Sequence, residues 1–274
     1  IRSPYNRGCP GGRNLGLQYA TGEIVAFIDN DGFAAPDWLE RAVERLESDP
    51  KIGAVASMVF FARHPWIVNG IGGALNLQGY GRDHCTQESY EFLQPPVDVV
   101  YPMGCGMVVR RDVFDRFGPL DETVANYYDD VEVGLRTHKL GYRVVTAPEA
   151  WIDHEFNYST QYVADKYLLS EKARIRLVLR YFPTGWLPRW LWNEGWLVLA
   201  GNGRGRLRLK AWVWNLWHIF SVLKSRWQLR HAAADFMLAL TPVWGSFDPA
   251  LEDNRALAPD LRKAQSALSL DGQQ

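Results

Sequence analysis

Two short acidic runs and one histidine have the residue types and spacing to do chemistry. Asp29-Asn30-Asp31 closes the apolar run Glu23–Ile28. Two carboxylates one residue apart at a strand end can chelate a hard cation such as Mg²⁺ or Mn²⁺, which then bridges phosphate oxygens. The same residue types also make turns and cap the next element, and the triplet alone leaves both readings open. Asp129-Asp130-Val131-Glu132 opens a helical pattern. Acids there complement the helix dipole. Adjacent carboxylates also repel, which raises one pKa and creates a general base towards a hydroxyl. His154 stands in Asp153-His154-Glu155 after a short apolar run. A lone histidine is ordinarily structural or exposed, whereas an imidazole near a carboxylate pair completes a metal site.

Weaker signals accompany these. Gly11-Gly12-Arg13-Asn14, with Gly16, has glycines before a helix, where a pyrophosphate can approach and Arg13 can pair with it. Gly104-Cys105-Gly106 leads into a strand, so it is not a dinucleotide fingerprint. No Walker lysine loop, His-Glu-x-x-His or nucleophile elbow is present.

The elements that must carry these groups alternate between strand and helix. Residues 1–12 read as loop and 13–19 as a short helix. Strands are expected at 23–28, 52–58, 107–109, 142–146 and 150–152, and helices at 36–47, 112–117 and 129–140. In the 36–47 helix, Leu39, Val43 and Leu46 repeat at helical spacing. Residues 62–97 are poorly patterned. The alternation argues an α/β domain with a largely parallel sheet, in which ligands bind at the carboxyl ends of strands. From about residue 158 the pattern turns helical, with a basic amphipathic helix at 172–182 and a second helix at 210–230.

Taken together, the pieces carry a resemblance. The run Asn6–Asp31 (NRGCPGGRNLGLQYATGEIVAFIDND) and the later set Gly104-Cys105-Gly106, Arg110-Arg111, Phe117–Glu122, Tyr128–Glu132, Gly141-Tyr142-Arg143 and His154 resemble the inverting family 2 glycosyltransferases. The match extends over most of residues 6–156, with a rhamnosyltransferase-like character in the helical region after it. The resemblance implies a GT-A fold, Rossmann-like with a mostly parallel sheet. The family's first strand–helix–strand unit has no counterpart here, so an N-terminally incomplete catalytic domain is expected over 1–157. A helical, basic, Trp-rich region is expected over 158–274. The resemblance also implies roles. Asp29 and Asp31 would be the metal and diphosphate motif, with His154 as a further metal ligand. Asp130 would deprotonate the acceptor. Asp129, where the family usually has Glu, would position it. Arg13 and Asn14 would lie near the nucleotide, and Gly104, Cys105 and Gly106 would line the substrate site. The implied activity is inverting transfer from a nucleotide-diphosphate sugar to a saccharide or lipid-linked acceptor in cell-envelope synthesis, with Mg²⁺ or Mn²⁺. A non-catalytic sugar- or lipid-binding remnant and a metal-dependent phosphoester hydrolase are the alternatives.

Composition narrows the class. The 274 residues are 47% hydrophobic and 22% charged, which excludes a disordered chain. No apolar run approaches the roughly 18 residues of a spanning helix. Cys9, Cys85 and Cys105 suggest neither a disulfide framework nor a zinc site, so a reduced, cytoplasmic setting is expected. Residues 1–171 hold 15 Lys/Arg against 24 Asp/Glu, whereas 172–234 hold 12 against Glu194 alone. Nine of the twelve Trp lie between Trp186 and Trp244. This basic segment reads either as a helical subdomain with its Trp in the core or as a membrane-surface element through 172–230, peripheral on the inner face of the plasma membrane. Nucleic-acid binding is the weakest reading, since no recognised module is present.

Overall fold

The run Ile52–Phe61 is buried from end to end save its last residue. A strand without a solvent face belongs in the middle of a sheet covered on both sides. The computed structural model, which describes residues 1–84, 95–155, 165–200 and 204–229, puts it there. In chain order the elements begin α1 (Gly8–Tyr19), β1 (Ile24–Ile28), β2 (Gly32–Ala34), α2 (Trp38–Glu47), β3 (Ile52–Phe61) and β4 (His64–Gly70). Next are β5 (Gly73–Leu75), β6 (Gly81–Asp83), β7 (Asp98–Val99), β8 (Gly106–Arg110), α3 (Asp112–Phe117) and α4 (Asp129–Lys139). Then come β9 (Arg143–His154), α5 (Lys166–Tyr181), α6 (Leu187–Ala200), α7 (Gly205–Trp217) and α8 (Ile219–Leu229). The expected domain boundary at 157/158 lies outside the described residues.

The main sheet runs β1-β8-β3-β9-β2, with β4 on β3 and β7 on β9. The α/β class holds, but the sheet is mixed. Its parallel pairing, among the described strands, is the central one between β3 and β9, and the other pairs are antiparallel. The reason is connectivity. The chain leaves β3 at its carboxyl end and re-enters β8 from that same end, so β8 runs against both its neighbours. One edge of the sheet therefore gathers the end of β1, the start of β8 and the paired ends of β3 and β9, where Phe61 lies opposite His154. That edge is where a site is expected.

Several boundaries differ from the sequence reading. Helix α1 starts at Gly8, inside the stretch read as loop, because Gly8 takes φ +71 against the Ala125 carbonyl, where a Cβ would come within 2.2 Å. The two short strands expected at 142–152 are one, β9, with a register break between Ala147 and Trp151 that absorbs Pro148. The buried face of α2 is Trp38, Ala42 and Leu46, while Leu39 is exposed. The 210–230 helix is two, separated at His218, whose ring Nδ1 reaches the Trp214 carbonyl at 2.8 Å. Helix α6 has no counterpart in the sequence reading.

Helix α4, which carries the acidic pair, is pinned from both sides. Val133 packs with the sheet and Val131 and Leu135 with α5, in a core that continues through Ile175 and Val178 to Trp190 and Ala211. Arg136 donates to Glu132 at 2.8 Å and to the Gly118 and Pro119 carbonyls. Burial pushes Glu132 up, but Arg136 and Arg180 outweigh it and hold the carboxyl at about 2. Arg176 and Arg180 of α5 both reach Asp121. The basic face expected on the 172–182 helix is thus turned inward to bind α4 and its flanking loop.

Gly134 lets α4 lie directly on the chain beside it. A Cβ there would come 2.3 Å from the Val100 carbonyl oxygen and 2.6 Å from Tyr101 Cα. Alanine gains about 1 kcal/mol of helix propensity over glycine. Overpacking against backbone, which cannot swing aside, costs about 1–3 kcal/mol or more. Gly134→Ala is therefore expected to lower the urea midpoint, and an increase would show that the contact relaxes without cost.

Candidate active site

The end of β1 hands the chain to Asp29, whose N–H donates to the Cys105 carbonyl at 3.1 Å. The carbonyl of Asp29 accepts the Gly32 N–H, which closes a tight turn, and Asp31 lies within it, 6% exposed. Strand β2 then pairs with β9 so that Gly32 faces His154. His154 Nε2 comes 3.5 Å from Asp31 Oδ1, and its Nδ1 lies 2.9 Å from Asn69 Oδ1 on β4. An Nδ1–H donated to Asn69 leaves the lone pair on Nε2, the atom turned to Asp31. Such outer-shell orientation is what a metal-binding histidine needs.

Asp29 does not join them as a third ligand. Its Oδ1 accepts Arg13 Nη2 at 3.0 Å, and among the described residues no group of three or more His, Cys, Asp or Glu could hold an ion. Asp31 with His154 is what remains. Mg²⁺ and its relatives are commonly held by one or two protein groups, with water and substrate phosphates filling the other positions. The donor set fits such an ion.

Arg13 is the hub of the site. It is buried, and its guanidinium donates to Asp129, to Asp29 and, at 2.7 Å, to the Gly104 carbonyl. It is aimed at protein acceptors, not outward at a phosphate. Asn14, also buried, exchanges hydrogen bonds with Leu120 N–H and carbonyl and donates to Glu122 at 2.9 Å. The glycines expected to cradle a pyrophosphate lie inside α1, so the nucleotide contact expected of Arg13 and Asn14 gives way to an internal one. Asp129 is likewise buried and paired, with the Cys9 thiol donating to it at 3.3 Å.

Asp130 is placed differently. Its Oδ2 accepts the Gly104 N–H at 3.1 Å and its Oδ1 the Val131 N–H at 2.7 Å. Burial first, and the Asp129 charge second, push its carboxyl up to about 7, with Arg13 opposing. A general base works best when its pKa lies near the working pH. The turn before it is strained: Tyr127 and Tyr128 take φ of +72 and +65. Non-glycine residues in that region cost about 1–3 kcal/mol each and cluster at functional sites.

Gly104-Cys105-Gly106 joins the two halves. A Cβ on Gly104 would stand 3.1 Å from Asp130 and 3.2 Å from Arg13, and one on Gly106 would stand 2.2 Å from Ile152 Cδ1. Cys105 is buried in the core under Asp29 and Asp31, and burial pushes its thiol up. The segment positions the acids through its backbone, and Cys105 has no exposed thiol with which to line a substrate site.

One residue was missed. Asp83, at the end of β6, accepts the Tyr101 hydroxyl at 3.0 Å, and burial pushes its carboxyl up to about 6. Its charge is among those that raise Asp130. Only an acid in a Gly-rich, unpatterned stretch marked it in the sequence, and that signal is too general to act on. Asp83→Asn keeps an acceptor for Tyr101 while removing the charge, which eases ionisation of Asp130. The acidic limb of the pH–rate profile is expected to move to lower pH, with kcat changed less than about tenfold. An unmoved limb would separate the two carboxylates.

Residues 1–118 match the model described as Glycosyl transferase family 2. A glucosyl-dolichyl phosphate glucuronosyltransferase of Haloferax volcanii is 28% identical over 176 residues, which are 57% of this chain and 51% of the relative. The O-antigen biosynthesis protein RfbC of Myxococcus xanthus is 30% identical over 162 residues, which are 56% of this chain and 12% of that protein. The chain thus spans about half the length of the first relative and far less of the second. The crystal structure of GalNAc-T7 with UDP, GalNAc and Mn²⁺ superposes with a TM-score of 0.55 at 14% identity, covering 84% of this chain and 46% of that one. At that identity the likeness is one of fold alone.

Proposed function

We propose that this chain, whose residues 1–118 match the Glycosyl transferase family 2 model, is a glycosyltransferase that moves a sugar from a nucleotide-diphosphate donor to a saccharide or lipid-linked acceptor. One observation carries the proposal. Arg13 and the backbone of residues 104–105 bind Asp130 and Asp29 into a single unit at the carboxyl edge of the sheet, beside Asp31 and His154. Asp130, held at about 7 chiefly by burial, takes the proton of the attacking acceptor hydroxyl. A single displacement of the diphosphate from the opposite side inverts the anomeric carbon and needs no protein nucleophile. Asp31 and His154 would hold a divalent cation, which supplies charge neutralisation for the departing diphosphate. Asp29 and Asp129 act through Arg13 as positioning residues.

The acceptor and setting belong to the same reading. We read the product as a cell-envelope polysaccharide or glycolipid, made by a protein peripheral on the inner face of the plasma membrane. The catalytic portion is taken as residues 1–157, with 158–274 as a second region, of which 156–164, 201–203 and 230–274 lie outside the described residues. The relatives named for O-antigen biosynthesis and for a dolichyl phosphate substrate support that class of acceptor.

The test is release of nucleoside diphosphate from a panel of nucleotide sugars, with and without Mn²⁺ or Mg²⁺, and anomeric analysis of the product. Metal-stimulated, acceptor-dependent release with inversion is expected. Release of inorganic phosphate from simple phosphoesters would favour a hydrolase, and sugar binding without turnover a remnant.

A further inference from the structure

Helices α6, α7 and α8 bury little of their apolar surface. Trp190, Ala211 and Val222 face inward, and beside them Glu194 of α6 and Arg208 of α7 turn towards Arg174 and Glu171 of α5, with Arg174 donating to both glutamates at 2.8 Å and stacking 4.3 Å over Tyr80. Asn215 of α7, fully buried, donates to the Lys172 carbonyl. Their solvent faces are apolar. Trp192, Trp196 and Leu199 of α6 repeat at i, i+4, i+7 and are 81%, 69% and 84% exposed. Leu209, Val213 and Leu216 repeat the same spacing on α7, beside Trp217 at 85%. Phe220 and Leu223 continue the face on α8. An amphipathic helix of a water-soluble domain ordinarily keeps such large apolar side chains on its core face. Contiguous exposed patches of this kind mark interaction surfaces.

Charge selects the partner. Arg189, Arg206, Lys210 and Lys224 are exposed on these same helices, and Glu194, the sole acid of 187–229, is buried. The surface therefore offers large apolar side chains and cations with no exposed carboxylate among its described residues. Trp among basic residues suits the headgroup region of a bilayer. No helix among the described residues is long and apolar enough to cross a membrane.

We infer that α6–α8 form a face that docks on the surface of an anionic lipid bilayer, with Trp192, Trp196, Trp217 and Phe220 inserted among the headgroups. This deepens the membrane placement proposed above and narrows it within 172–230. Arg176 and Arg180 bind α4 and its flanking loop, which leaves the lipid contact to the next three helices. Lipid binding is read without turnover, so its failure and that of the transfer reaction are separable.

The experiment is co-sedimentation of the full chain with vesicles of phosphatidylcholine alone or with 30% phosphatidylglycerol (roughly the anionic content at which charge attraction is strong). Selective binding to the anionic vesicles is expected. Trp217→Ser with Phe220→Ser should weaken it about tenfold, as should Lys210→Glu with Lys224→Glu, with the circular dichroism of each unchanged. Absence of binding, or binding indifferent to both pairs, overturns the inference. So does a dimer by light scattering that the Trp217→Ser/Phe220→Ser pair dissolves, since the occupant is then a second copy. Tryptophans already shielded from acrylamide in the lipid-free chain would equally overturn it.

Discussion

Asp130→Asn loses transfer by about 10²–10⁴-fold, the usual worth of a positioned general base, while nucleotide-sugar binding stays within about twofold of the parent. Asparagine preserves the volume and one acceptor for the two N–H groups, Gly104 and Val131, that hold the side chain. What it removes is the ability to take a proton. In the parent, turnover should rise with pH through about 7, where Asp130 ionises. Stability should run the other way. Between an ordinary 3.8 and about 7 the folded protein keeps a proton that the unfolded chain has lost, so stability falls as pH climbs through that window. Urea titrations in EDTA at several pH values should find that slope flattened in Asp130→Asn. A variant with parental turnover would remove the base assignment, and an unchanged slope would remove the raised carboxyl behind it.

The parts of this molecule visible in the sequence are those set by local pattern. The apolar run before Asp29, the helix opening at Asp129 and the strand after Gly106 stand within a few residues of where periodicity put them, because each buries a face dictated by its own spacing. What escaped was set by partners distant in the chain. Arg13 looks like a phosphate ligand when it comes after glycines, but its acceptors are 16, 91 and 116 residues away. The arginines of 172–182 look like a solvated stripe, but Asp121 and Glu132 draw two of them inward. Composition leaves the Trp-rich helices open between a core and a membrane surface. Only the fold reveals that Trp190 is buried against Trp212 while Trp192, two residues on, is 81% exposed. The acids and histidine were legible as residue types. Their grouping came only through the family resemblance, because the sheet register that puts Gly32 opposite His154 leaves no mark in either segment.

The same dependence on distant partners makes Arg13 the position where stability and chemistry should fail together. Arg13→Met removes a buried cation that Asp129, Asp29 and the Gly104 carbonyl all share. Methionine fills most of the volume, and Phe27 beside it offers an apolar contact, so the loss is electrostatic and not a cavity. Breaking a buried pair by deleting one partner typically costs about 3–5 kcal/mol. For a unit of this size that lowers the melting temperature by roughly 10 °C. Arg13→Lys keeps the charge, but a single ammonium cannot reach three acceptors in a fork, so it should recover only part of the loss. Acid should narrow the gap between Arg13→Met and the parent. Burial already raises Asp29, and without Arg13 its protonated form becomes the cheaper one to bury. Asp130, which Arg13 now restrains, should rise as well and push the activity profile alkaline. These two shifts distinguish an internal hub from a phosphate ligand, whose removal would raise the KM for the nucleotide sugar and leave melting and the pH limb where they were. A melting temperature within about 2 °C of the parent, roughly 1 kcal/mol or less, with a raised donor KM, would return Arg13 to the nucleotide.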